Sequence, residues 1–147
     1  TIDLGEDNDL HPQGKREIGR RLALLAAHEK GCSDVEYSGP VIRKFMCVKE
    51  GDTAQITLDM EHTGNGLEIR EANGKGADLK VTDFCIVDDR NNMLRADVSV
   101  IHNKIILKVP GLEHSVKEIR YCYSQTNSGA LIYNSEGLPM SPGIYAM

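Results

Sequence analysis

The segment Glu6-Asp7-Asn8-Asp9-Leu10-His11-Pro12 is the part of this chain whose residue types and spacing suit catalysis. A histidine at the start of a helix, with carboxylates just before it, can serve as a general base. A neighbouring aspartate would hold the imidazole in one tautomer and stabilise the imidazolium that forms on proton transfer. Such a site needs a serine or cysteine nucleophile brought close by the fold. The same residues also suit a structural role, since carboxylates near a helix N-terminus complement the dipole and a histidine before proline can cap it. Asp7, Asp9 and His11 together offer oxygen and nitrogen ligands, but one loop rarely completes a metal site and no obvious fourth ligand follows. No metal and no cofactor are expected.

The remaining candidates read as structure. Asp88-Asp89-Arg90-Asn91-Asn92 superficially resembles a calcium loop, yet it lacks the glycine and the distal glutamate of an EF-hand and is expected to be a hairpin turn. Gly64-Asn65-Gly66 and Gly74-Lys75-Gly76 precede no helix, so they are turns rather than phosphate loops. His28, His62, His102 and His114 stand singly. His62, at a strand end beside the Gly64 turn, is the one to watch. Cys32, Cys47, Cys85 and Cys122 form no CxxC pair, which argues against structural zinc. Cys47, Cys85 and Cys122 lie inside apolar runs and are expected to be buried free thiols, with disulfides open if the protein is exported.

The elements that must position these residues fall into two regions. In residues 1–31 a short apolar segment (2–4) reads as a strand and an acidic loop follows. A helix is expected over 12–29, opened by Pro12 and stopped by Gly31. Ile18, Leu22, Leu25 and Ala26 fall at helical spacing and are expected to be buried along one stripe, with Arg16, Arg20 and Arg21 off it. After Gly39-Pro40 the period changes to two. Strands are expected at 41–48, 54–60, 66–70, 79–87, 96–100, 104–109 and 118–124, an antiparallel β-sandwich over 38–147. Residues 131–147, with Gly137, Pro139, Pro142 and Gly143, read as an irregular tail.

Composition narrows the function. The 147 residues carry 17 Lys and Arg against 22 Asp and Glu, a net charge of -5, which argues against nucleic-acid and anionic-membrane partners. No apolar run approaches the ~20 residues of a membrane span. The chain opens Thr1-Ile2-Asp3-Leu4, without an initiator Met or a signal peptide, and an excised piece of a longer protein is the expectation.

The blocks Thr1-Ile2-Asp3-Leu4-Gly5, Asn8-Asp9-Leu10-His11-Pro12 and Lys15 with Gly19-Arg20-Arg21-Leu22-Ala23 resemble the last block of sialate O-acetylesterases, which are SGNH-type carbohydrate esterases. The resemblance continues through Gly39-Pro40-Val41 and Gly64-Asn65-Gly66-Leu67. It closes on Leu131-Ile132-Tyr133-Asn134 and Glu136-Gly137-Leu138-Pro139-Met140-Ser141-Pro142. It implies an α+β fragment: the end of an SGNH α/β hydrolase domain (strand, loop and helix, 1–31) followed by the accessory sandwich. It further implies His11 as the base of a serine-histidine-acid site acting on an O-acetylated sugar. The serine and the oxyanion hole would lie on an upstream polypeptide, leaving this chain inactive alone, and the location would be periplasmic or secreted. The general SGNH pattern places the acid three residues before the histidine, where Asn8 stands. Asp9 stands two residues before His11, where sialate-esterase-like sequences often carry Asp, so the resemblance implies it as the preferred orienting residue. A Ser-His dyad with a backbone carbonyl is the second option and Asp7 the third. Asp3 reads as a structural hydrogen-bonding residue. The rival reading is a non-catalytic β-sandwich that binds carbohydrate or protein, weakened for sugars by an aromatic content of only 5%.

Overall fold

The change of period at Gly39-Pro40 is a change of architecture. A computed structural model describes residues 2–5, 11, 13–32, 34–71, 80–81, 83–123 and 130–146. Ahead of the glycine-proline pair stands one helix, α1 (Lys15–Glu29). After it come ten strands: β1 (Val41–Glu50), β2 (Thr53–Glu61), β3 (Leu67–Glu71), β4 (Phe84–Asp88), β5 (Met93–Arg95), β6 (Asp97–Ile101), β7 (Lys104–Pro110), β8 (Val116–Tyr121), β9 (Ala130–Asn134) and β10 (Gly143–Ala146). The described residues thus form antiparallel sheets with a single helix.

The helix begins at Lys15 rather than at Pro12. The Gly14 carbonyl accepts its first bonds, from Glu17 and Ile18. The C-terminus follows the glycine rule. Gly31 adopts φ +93°, its N–H donates to the His28 carbonyl, and the Cys32 N–H reaches back to Ala27. That pair of bonds satisfies the last helical carbonyls. Residues 2–4 form a turn, not the expected strand. A lone extended segment with no parallel neighbour would leave its backbone groups unpaired, and the turn avoids this. The stripe expected to be buried is also corrected. No residue of α1 is buried, and Leu22 and Leu25 are 63% and 43% exposed. No helix among the described residues is long and apolar enough to cross a membrane.

One four-stranded sheet has the order β1-β2-β7-β6, a second β10-β8-β4-β5, and β3 pairs with β9 alone. In the first, Ala54, Ile56 and Leu58 stand opposite Val109, Leu107 and Ile105, all fully buried. The second contributes Phe84, Ile86, Ile119 and Tyr121, and β9 contributes Leu131, Ile132 and Tyr133 to the same apolar cluster. Each fully buried Ile or Leu contributes roughly 1.5–3 kcal/mol, so this cluster is the main source of stability. Tyr121 packs on Phe84 with ring centroids 4.7 Å apart. Its hydroxyl accepts a bond from the Ile132 N–H at 3.2 Å, which joins β8 to β9.

Three strands, β5, β9 and β10, lie where none is expected. All five residues of β9 are buried, so it has no alternating pattern to detect. Two expected strands have different limits. The expected 79–87 strand starts only at Phe84, and the 118–124 strand stops at Tyr121, because Cys122 turns to φ +47° and donates its N–H to the Asp83 carbonyl.

Candidate functional site

Asp3 is the buried charge around which the first region is organised. It is 9% exposed, and both its oxygens accept bonds from Arg21, at 2.7 Å from Nη1 and 2.7 Å from Nη2. The Tyr133 hydroxyl of β9 donates to the same carboxylate at 3.1 Å. Arg21 also donates through Nε to Glu17 Oε1, one helical turn back, at 2.9 Å. Burial by itself would raise the Asp3 carboxyl, but the Arg21 guanidinium and the Tyr133 hydroxyl together hold it below the ordinary carboxylate range. Hydrogen bonds from Arg20 and Arg21, against partial burial, hold Glu17 down at about 2. The expectation that Asp3 is a structural hydrogen-bonding residue therefore meets a complete partner set. Arg21, placed with the off-stripe charges by helical periodicity, and Tyr133, placed in an irregular tail, are its unforeseen partners.

His11 lies on a bend four residues before α1, and its side chain is exposed. Asp7, Asn8 and Asp9 fall outside the described residues, as does Pro12, so the expected pairing of Asp9 with His11 falls outside them too. Leu4 packs on Gly14, where a Cβ would meet Leu4 Cδ2 at 3.4 Å.

Behind α1 a second group collects. The His28 ring stacks on Tyr37 with centroids 3.7 Å apart, and His62 meets the edge of Tyr37 at 5.4 Å. His62, at φ +56°, places Nδ1 2.8 Å from Glu36 Oε1. This group joins the helix end to the end of β2. Beside it, fully buried Asn134 donates through Nδ2 to the carbonyls of Ser38 and His62, and its Oδ1 accepts from the N–H groups of Glu136 and Leu138. Gly39 packs so tightly here that a Cβ would collide with the Pro139 carbonyl oxygen. The Gly39, Asn134 and Gly137-to-Pro139 segments are thus one junction.

The Asp88 segment is a hairpin turn between β4 and β5, as expected. Its carboxylate accepts from the N–H groups of Arg90 and Asn92 and from the Asn92 amide. All four cysteines are free, but Cys85 and Cys122 are only partly buried, and Cys47 is exposed because residues 46–50 of the edge strand β1 are all exposed. Burial, reinforced by Asp83, pushes the Cys122 thiol up to about 12, which makes it a poor nucleophile. On the outer face of the second sheet a cleft of about 380 Å³ is lined by Arg95, Cys85, Arg120, Met93 and Tyr123, among others. The Arg120 guanidinium lies 5.2 Å from the Tyr123 ring centre.

No family model and no curated protein sequence matches the chain. Among solved structures, 99% of the chain superposes on a carbohydrate acetylesterase from Xanthomonas citri, with a TM-score of 0.74 and 28% identity. The match spans 31% of that protein, so this chain corresponds to less than a third of its length.

Proposed function

We propose that this chain is the C-terminal part of a carbohydrate O-acetylesterase of the sialate O-acetylesterase-like SGNH kind, to which it supplies His11 as general base and Asp9 as its orienting acid. The observation that carries this reading is the superposition of nearly the whole chain on a carbohydrate acetylesterase. The exposed position of His11 on a bend ahead of α1 agrees with it. In the reaction, a serine of the upstream polypeptide attacks the acetyl carbonyl while His11 takes its proton. The tetrahedral intermediate collapses, His11 returns the proton to the departing sugar oxygen, and acetyl-serine remains. Water, deprotonated by His11, then releases acetate and restores the serine. An exported location accompanies this reading.

The test is hydrolysis by the complete protein, with acetylated sialic acid and acetylated xylan assayed side by side. Release of acetate from either, lost in His11→Ala, is the expected result. Normal turnover in a folded His11→Ala variant would remove His11 from the mechanism. The cleft between β4, β5 and β8 favours the second reading, a sugar-binding sheet unit, because a tyrosine and two arginines can face a carboxylated sugar there. Glycan binding that is abolished in Tyr123→Ala, with no hydrolysis by the complete protein, would favour that reading instead.

A further inference from the structure

We propose that Asp3, Arg21 and Tyr133 form a positioning clamp for His11, through which the β-sheet unit sets the geometry of the esterase site. The inference rests on the reading of His11 as the general base. A base must sit within hydrogen-bond reach of the proton it takes, and a misplacement of about 1 Å can cost on the order of 10²-fold in rate. Something must therefore fix the segment that carries His11.

Apolar packing does part of this, through Ile2 against the core cluster, but little of it comes from the helix. No residue of α1 is buried, and Leu22 and Leu25 remain partly exposed beside a shallow cavity shared with Gly39, Leu138 and Pro139. The polar contacts are stronger. In sequence, Asp3 and Leu4 precede His11, and Gly14 and Arg21 follow it. These flanking residues are joined: Leu4 rests on Gly14, and Asp3 takes the two-pronged Arg21 fork at 2.7 Å on each prong. A planar fork on a carboxylate fixes orientation as well as distance, which a single ammonium contact would not do. The third member, Tyr133, comes from β9, whose five residues are all buried. Its hydroxyl refers the clamp to the rigid core of the sheets across 130 positions of sequence. The sheet unit is on this account a part of the site and not an appendage to it.

The experiment compares Asp3→Asn, Arg21→Lys and Tyr133→Phe with His11→Ala in the complete enzyme, reading kcat and KM separately, with unfolding midpoints to confirm folded protein at the assay temperature. Asp3→Asn is expected to lower kcat by roughly 10- to 100-fold with KM within about twofold of wild type, because a displaced base slows chemistry without weakening sugar binding. Arg21→Lys should fall in the same direction, since the charge remains but the fork is lost. Tyr133→Phe removes one hydroxyl and keeps the ring in the core, so it remains informative if Asp3→Asn fails to fold. It should lower kcat about three- to tenfold. Wild-type kcat in folded Tyr133→Phe and Asp3→Asn, or losses confined to KM, would overturn the clamp and leave the role of His11 intact. Full turnover in His11→Ala would overturn the esterase reading and the clamp with it.

Discussion

Helix α1 and strand β9 are opposites. The helix has a clear sequence period and no buried residue, whereas the strand has no period and no exposed residue. Periodicity marks elements that are half covered, so it finds a helix with one apolar stripe and misses a strand covered on both faces. The difference also separates roles. The sheets hold the stability, in one core cluster running from β2 and β7 through β4 and β8 to β9. The first region holds the candidate chemistry and is tied to the sheets by polar contacts at Tyr133 and Asn134, by Ile2 against the core and by the His28–Tyr37–His62 ring contacts.

The largest effects should break this division on the side of chemistry. In the complete enzyme His11→Ala should lower kcat by roughly 10³-fold or more while leaving the unfolding midpoint unchanged, since the side chain is exposed. If Asp9 orients the imidazole, Asp9→Asn should cost up to about 10⁴-fold in kcat, and Asn8→Ala much less. A mild Asp9→Asn would move the orienting role to a backbone carbonyl or to Asp7. Steady-state kinetics on an acetylated sugar decides each case.

The sheets should show the reverse pattern. Ile132→Ala removes a fully buried side chain and should cost about 2–5 kcal/mol of stability, with normal turnover in the molecules that remain folded. Gly39→Ala should be comparably damaging for a different reason, because the new methyl group would meet the Pro139 backbone, which cannot give way as a side chain would. Urea unfolding followed by circular dichroism checks both. A Gly39→Ala chain as stable as wild type would show that the junction is looser than its packing suggests.

The contrast explains what the sequence revealed. Strands covered on one face alternate and were legible with small errors at their ends: β1, β2, β6 and β7 lie within a few positions of expectation. The tail containing Leu131, Ile132 and Tyr133 was not, because Pro139, Pro142 and two glycines nearby read as loop while the burial that makes β9 a strand comes from distant residues. In the candidate site, the type and surroundings of His11 were legible, and so was a hydrogen-bonding role for Asp3. The identity of its partners was not. Arg21 is 18 positions away and Tyr133 is 130, and nothing local links them.

Acid sensitivity probes the polar seam between the regions. The folded Asp3 carboxyl titrates below its ordinary value of 3.8, so the stabilisation from its ionised form is fully present above that value. It is lost as pH falls below 3.8 and through the lowered folded value. Asp3→Asn should therefore be less stable than wild type at neutral pH, and the difference should shrink as the solution is acidified below pH 3.8. A stability gap that stays constant down to acid unfolding would show that the Asp3 charge contributes nothing through Arg21.

The smallest effect is the most telling about α1. Leu22 is 63% exposed and Leu25 43% exposed, so Leu22→Ser and Leu25→Ser lose little burial in this chain. Measured on it alone, each should change stability by no more than about 0.5 kcal/mol, the ordinary range for surface positions. In the complete protein the proposed hydrolase sheet would cover this stripe, and the same substitutions should then cost about 1–3 kcal/mol, the burial of an aliphatic side chain. The comparison needs only two unfolding curves per variant. If both substitutions are neutral in the complete protein as well, α1 carries no upstream sheet on its apolar face, and the role of residues 1–31 as the end of a hydrolase domain fails. If either is strongly destabilising in this chain alone, the stripe is already packed against the sheets, and the division between a core-bearing region and a chemistry-bearing one is drawn in the wrong place.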